Sequence, residues 1–257
     1  MSPGAEGVIP GRRAVLEALR ADRPIRKILL AHTARGSALR ELVREARRRG
    51  VVVQPVDAHR LDALTSASHQ GVIALAAARP PADVEQILAV ARGRNEAPFI
   101  LVLDGVEDPR NLGAIIRTAE AAGVHGVIIP RHRAAGLTPA VARSSAGAVE
   151  YVAVAPVTNL VRAIEVLKES GLWVVGADPR AGELYHRAPL VPPLALVLGG
   201  EGRGISRLVR EHCDRLVRLP MRGRISSLNV SVAAGVLLYE VVRQMSAGEA
   251  SDRTHGA

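Results

Sequence analysis

From Phe99 onward the chain alternates short, continuously apolar runs with helix-patterned stretches, and this rhythm restricts the fold more than any other feature. The runs lie near 99–104, 126–130, 150–155, 172–177, 194–199 and 215–219. A strand written LALVL has no polar side, so both of its faces must be covered, which is the condition of a parallel sheet with helices above and below. Gly123 and Gly171 stop two of the intervening helices. The last helix, expected over about 226–244, is apolar around much of its circumference. The small polar tail, residues 247–257, is expected to be disordered.

The region before Phe99 has a different character. From Ser37, Leu39, Leu42, Val43 and Ala46 recur at helical spacing before Gly50, and the other face carries Arg40, Arg44, Arg47 and Arg48. Apolar runs at 28–31, 51–56 and 71–77 read as strands around that helix, giving a small α/β sandwich over residues 8–78. Residues 79–97, opening on Arg79-Pro80-Pro81, read as a linker with a short helix around 84–90. Residues 98–246 form the second domain. A chain of 257 residues, 48% of them hydrophobic, can build the two cores this division needs.

Charge separates the halves further. The formal net charge is +9, and residues 11–60 alone hold 13 Arg or Lys against 5 Asp or Glu. Clustered cations gain affinity for phosphates by releasing counterions, so the front domain is the expected nucleic-acid surface. Apolar runs stay shorter than the ~18 residues of a membrane span, and the first residues lack a basic region followed by an apolar one. A cytoplasmic location follows as an expectation.

Several chemistries do not fit the motifs. The turn GGEGRGIS follows a strand and opens a helix, but Ile205 stands where G-x-G-x-x-G requires its third glycine. Neither Lys27 nor Lys168 completes a G-x-x-x-x-G-K-[ST] loop. Cys213, the one cysteine, excludes an intrachain disulfide and a thiolate metal cluster and reads as a buried inert thiol. His132 lies between two arginines with no second ligand at metal spacing, so no metal site is expected.

Three segments resemble the signature motifs of the SpoU/TrmH RNA 2′-O-methyltransferases: LDGVEDPRNLGAIIRTAEAAG at 103–123, LVLGGEGRGIS at 196–206 and LPMRGRISSLNVSVAAGVLLYEVV at 219–242. The intervening LTPAVARSSAGAVE and the front-domain SHQGVIAL are similar to the subgroup that methylates large-subunit ribosomal RNA. The resemblance covers residues 8 to 245. It implies an α/β domain whose C-terminal segment threads a deep trefoil knot, preceded by a ribosomal-protein-like RNA-binding domain. It also implies S-adenosyl-L-methionine as cofactor, RNA as substrate and a homodimer.

By motif position the resemblance assigns Asn111, Arg117, Glu201, Ser227 and Asn229 to catalysis. It assigns Gly199, Gly200, Leu219, Met221 and Leu228 to cofactor binding, the last three around the adenine. The residues themselves leave alternatives open. Asn111 after Pro109 also suits a helix N-cap, Glu201 also suits a cap of the following helix, and Ser227 and Asn229 also suit the start of the last helix. The glycine turn suits either close approach to a cofactor or a tight strand-to-helix connection. Guanidinium holds its protons to pH above ~12, so Arg117 is suited first to stabilising a developing alkoxide and gripping phosphate; the resemblance also implies proton removal by Arg117, which requires a strongly depressed pKa. The implied target is a guanosine ribose in large-subunit ribosomal RNA. The alternatives are a transfer RNA ribose, a ribosomal adenosine methylated for resistance, or a non-catalytic RNA-binding protein of ribosome assembly.

Overall fold

The computed structural model describes residues 6–65, 67–77 and 81–255. They divide into two compact units. The front unit contains β1 (Glu6–Pro10), α1 (Arg12–Arg20), β2 (Ile25–Ala31), α2 (Ser37–Arg48), β3 (Val52–Val56), α3 (Ala58–Asp62) and β4 (Val72–Ala77). Its sheet runs β1-β4-β2-β3, with β4 antiparallel to both neighbours and β2 parallel to β3. Leu19, Ile28, Leu42, Leu61 and Ile73 close the core between sheet and helices. The expected sandwich is present, with β1 and α1 added to it. α1 was hidden because Gly11, at φ +101°, precedes it and no Ser, Thr, Asp or Asn marks its start.

The second unit begins with α4 (Val84–Arg94), β5 (Phe99–Asp104), α5 (Pro109–Ala121) and β6 (Gly126–Pro130). Residues 137–151, with α6 (Pro139–Ser144) and a 3-10 turn, belong instead to the front unit. There Arg23 meets Glu150, and the Tyr151 hydroxyl donates to Glu17 at 2.8 Å. This corrects the uninterrupted second domain expected over 98–246. The second unit resumes with β7 (Ala153–Val157), α7 (Leu160–Glu169), β8 (Trp173–Ala177), β9 (Glu183–Leu184), β10 (Leu194–Gly199), α8 (Arg207–Glu211), β11 (Arg215–Arg218) and α9 (Val230–His255).

Its sheet order is β7-β6-β5-β10-β8-β11-β9, and every pair is parallel. Ile100, Leu101, Val102, Ala195, Leu196 and Val197 are all buried, as strands covered on both faces must be. The stretch expected as a linker is part of this core. α4 starts in a capping box made by Asp83 and Gln86 and buries Ile87, Leu88 and Ala91. A side chain at Gly126 would lie 2.5 Å from Ile87. Of the expected linker, residues 79 and 80 lie outside the described residues, as does residue 78 at the end of the expected front domain.

α9 differs from its expectation at both ends. It starts at Val230 rather than 226, and it continues to His255 through the stretch expected to be disordered. No proline interrupts that stretch, and Gly248 alone is tolerated within a helix at a cost of about 1 kcal/mol. Residues 256 and 257 of the expected tail lie outside the described residues. No helix among the described residues is long and apolar enough to cross a membrane.

Candidate active site

The C-terminal ends of the adjacent central strands β5 and β10 carry the two loops that build the site. At the end of β5, Asp104 accepts the Gly200 N–H through its carbonyl at 2.8 Å and the Ser206 N–H through its carboxylate at 2.7 Å. The Gly199–Ser206 turn is thus fastened near both ends. Two of its four glycines are explained by the protein's own crossings, and Gly202 and Gly204 by positive φ. A Cβ at Gly199 would stand 1.9 Å from the Gly204 carbonyl carbon, and one at Gly200 would stand 1.9 Å from the Gly105 oxygen. The close approach required of these two glycines is therefore to neighbouring backbone.

α5 starts on Asp108, whose side chain accepts the Arg110 N–H at 2.7 Å, with Pro109 in the first turn. Asn111 is thereby released from capping. Its amide donates to Glu201 Oε1 at 2.5 Å. Asn229 Nδ2 reaches the same Glu201 oxygen at 3.0 Å and Asn111 Oδ1 at 3.1 Å. Three residues from three distant segments close a hydrogen-bonded triangle. Asn229 Oδ1 in turn accepts the Ser231 N–H at 2.9 Å and the Ser231 hydroxyl at 2.6 Å, so the amide is held in one orientation.

Arg117, two turns along α5, is exposed and makes no ion pair or hydrogen bond among the described residues. The next residue, Thr118, lies 3.9 Å from where a Cβ at Gly235 of α9 would be. Ser227 stands in the irregular segment before α9, exposed and outside the triangle. Leu219 and Met221 are half-buried, whereas Ile225 and Leu228 are exposed. Among the described residues, the backbone groups of 219–228 make no hydrogen bond. Of the expected residues, the triangle brings together Asn111, Glu201 and Asn229; Arg117 and Ser227 stand apart from it. Asp104 and Ser231, which position this site, were missed; the Asn-x-Ser spacing at a helix start was the available signal for Ser231.

Residues 98–239 match the SpoU rRNA Methylase family, and residues 8–82 match the RNA 2′-O ribose methyltransferase substrate binding family. The chain belongs to the SpoU rRNA methylase family. A Bacillus subtilis relative named for the TrmH family of tRNA/rRNA methyltransferases, YacO, is 48% identical over 91% of this chain and 94% of its own. The SpoU methyltransferase AviRb from Streptomyces viridochromogenes, crystallised with the cofactor AdoMet, superposes with a TM-score of 0.77 at 28% identity, over 94% of this chain and 91% of its own. An AdoMet-bound rRNA methyltransferase from Sinorhizobium meliloti gives a TM-score of 0.74 at 25% identity, over 93% and 87%. This SpoU-family protein is an S-adenosylmethionine-dependent RNA 2′-O-ribose methyltransferase.

The residues fit that cofactor. Segment 219–228 offers unused backbone donors and acceptors beside the exposed side chains of Ile225 and Leu228, the combination that reads a purine edge and covers its face.

Proposed function

We propose that this enzyme methylates a ribose of large-subunit ribosomal RNA, most specifically a guanosine in the peptidyl-transferase region, and acts as a cytoplasmic homodimer. The observation that carries the catalytic reading is the triangle of Asn111, Glu201 and Asn229 beside the fastened glycine turn. The ribosomal assignment is supported by the presence of a whole substrate-binding unit, and by an rRNA methyltransferase that aligns over both units.

Bound here, S-adenosylmethionine would supply a sulfonium-activated methyl group to the ribose oxygen and would leave as the neutral thioether. Leu219, Met221 and Leu228 would hold its adenine, while Gly199 and Gly200 let the surrounding backbone close to the required shape. As the new O–C bond forms, the ribose 2′-hydroxyl releases its proton to solvent, and negative charge develops on its oxygen along the way. Arg117, whose guanidinium is uncommitted, stabilises that charge and grips the adjacent phosphate. Asn111 and Glu201 orient the hydroxyl, with Glu201 retaining Oε2 outside the triangle. Asn229 fixes both, and Ser227 steadies the cofactor side of the cleft.

The dimer reading is supported by α9. Val232, Val236 and Tyr239 recur on one face and are 51%, 38% and 52% exposed. An apolar stripe of this kind calls for a cover. The knot reading is supported by β10 lying between β5 and β8 and by the segment after β11 returning through Asn229 to Asn111 and Glu201.

The test is a ribose-methylation map of ribosomal and transfer RNA from cells with and without the protein. Loss of one mark in large-subunit RNA is expected. Loss confined to transfer RNA would overturn the ribosomal assignment.

A further inference from the structure

About half of the front unit's cations are committed to its own fold. Arg20 pairs with Glu17 and Glu41, Arg48 with Glu45, and Arg49 with Glu45 and Asp22. Arg23 meets Glu150, and Lys27 donates to Gln54. Arg12 donates to the carbonyls of Gln70 and Arg35, and Arg35 to those of His32 and Ala34.

Arg40, Arg44 and Arg47 stand outside these networks, as do the exposed Arg13 and Arg60, which lie on other helices. The three on α2 are exposed, and among the described residues none forms an ion pair or hydrogen bond. Their spacing, i, i+4 and i+7, places them on one face of α2 over about 10 Å of helix axis. The opposite face is anchored by Leu39, Leu42 and Ala46. Glu41 and Glu45, the carboxylates of the same helix, are engaged by Arg20, Arg48 and Arg49. Three aligned cations that repel one another, on a helix otherwise supplied with ion pairs, mark a surface whose counter-charge arrives from outside.

We infer that Arg40, Arg44 and Arg47 form a rail that grips the phosphate backbone of the substrate RNA independently of sequence, while the paired arginines hold the unit together. Each guanidinium presents a planar fork of donors suited to two phosphate oxygens. The rail rests on the reading that the front unit is the RNA grip. It does not depend on which RNA is methylated.

The test uses the full chain and labelled double-stranded RNA of random sequence, titrated over a series of salt concentrations. Arg40→Gln/Arg44→Gln/Arg47→Gln is expected to reduce the slope of log K against log salt by about 2 to 3 units, at roughly 0.7–0.9 per phosphate contact. Arg20→Gln/Arg48→Gln/Arg49→Gln removes the same charge and is expected to change the slope by less than about one unit. Lysine at the three rail positions keeps the charge and restores the slope. Should the control triple melt below assay temperature, Arg20→Gln/Arg48→Gln replaces it, since those side chains are 46% and 69% exposed. An unchanged slope in the rail variant, or equal reductions per charge in rail and control, overturns the inference. The methylation map tests the target instead, so the two readings fail separately.

Discussion

Asn229 has two amide hydrogens, and both are committed, one to Asn111 Oδ1 and one to Glu201 Oε1. Its oxygen is taken by Ser231. Such a side chain positions others. Asn111, with a second amide hydrogen, and Glu201, with a second oxygen, keep capacity for the substrate. Arg117 keeps all of its donors. Arg117→Ala is therefore expected to reduce methyl transfer by at least about a hundredfold, the usual consequence of losing one charge-stabilising donor. S-adenosylhomocysteine affinity, measured by calorimetry, should stay within a few-fold; a large loss would place Arg117 in the cofactor pocket. Elsewhere, burial pushes the Cys213 thiol up to about 12, helped by the neighbouring Asp214 carboxylate, so at neutral pH it is protonated and unreactive. That much was legible from its being the one cysteine of the chain. The triangle was legible only through motif resemblance, because 90 residues separate Asn111 from Glu201 and no local pattern encodes their meeting.

α4 shows how an element's membership is decided by packing. The stretch around it, from Arg79-Pro80-Pro81 to Pro98, is rich in polar and small residues, which reads as a connector with a short helix. Yet Ile87 is fully buried over Gly126 at the start of β6, where the absent side chain makes room for it. Ile87→Ala is expected to lower unfolding free energy by about 2–5 kcal/mol in denaturant titration. A connector helix would give a change near zero. The same reasoning explains which elements the sequence announces. β5, β6, β8 and β10 are buried on both faces and appear as unbroken apolar runs. β9, with two residues, is too short to produce a periodic signal, and α1 carries its apolar face of Val15, Ala18 and Leu19 behind a glycine start that no capping side chain marks. Residues 137–151 contain a helix cap at Thr138 that could be anticipated, but their place in the front unit depends on Arg23 and Glu17, more than a hundred residues away.

At the scale of the molecule, that excursion changes what deletion can mean. Removing residues 1–80 would leave residues 137–151 without Arg23 and Glu17, so substitution within the full chain is the cleaner way to dissect the two units. It also serves to test assembly. α9 turns Val230, Ala234, Leu237, Leu238 and Val241 into the core of its own unit and leaves Val232, Val236 and Tyr239 outside. Leaving such a stripe in water wastes about 25 cal/mol for each Å² of apolar surface that a partner would cover. Val232→Glu/Val236→Glu is expected to convert a dimer into a monomer by light scattering at micromolar concentration, because two charges would face their symmetry mates across an isologous contact. Since both side chains are solvent-exposed, circular dichroism and melting temperature should change little. A wild-type protein already monomeric under these conditions, or a double variant that remains dimeric, would remove α9 from the interface. Activity then carries further information. Arg117 lies on α5, which packs against α9, so a folded monomer that binds S-adenosylhomocysteine normally but transfers no methyl would place part of each active site across the contact. A fully active monomer would assign the entire site to one chain.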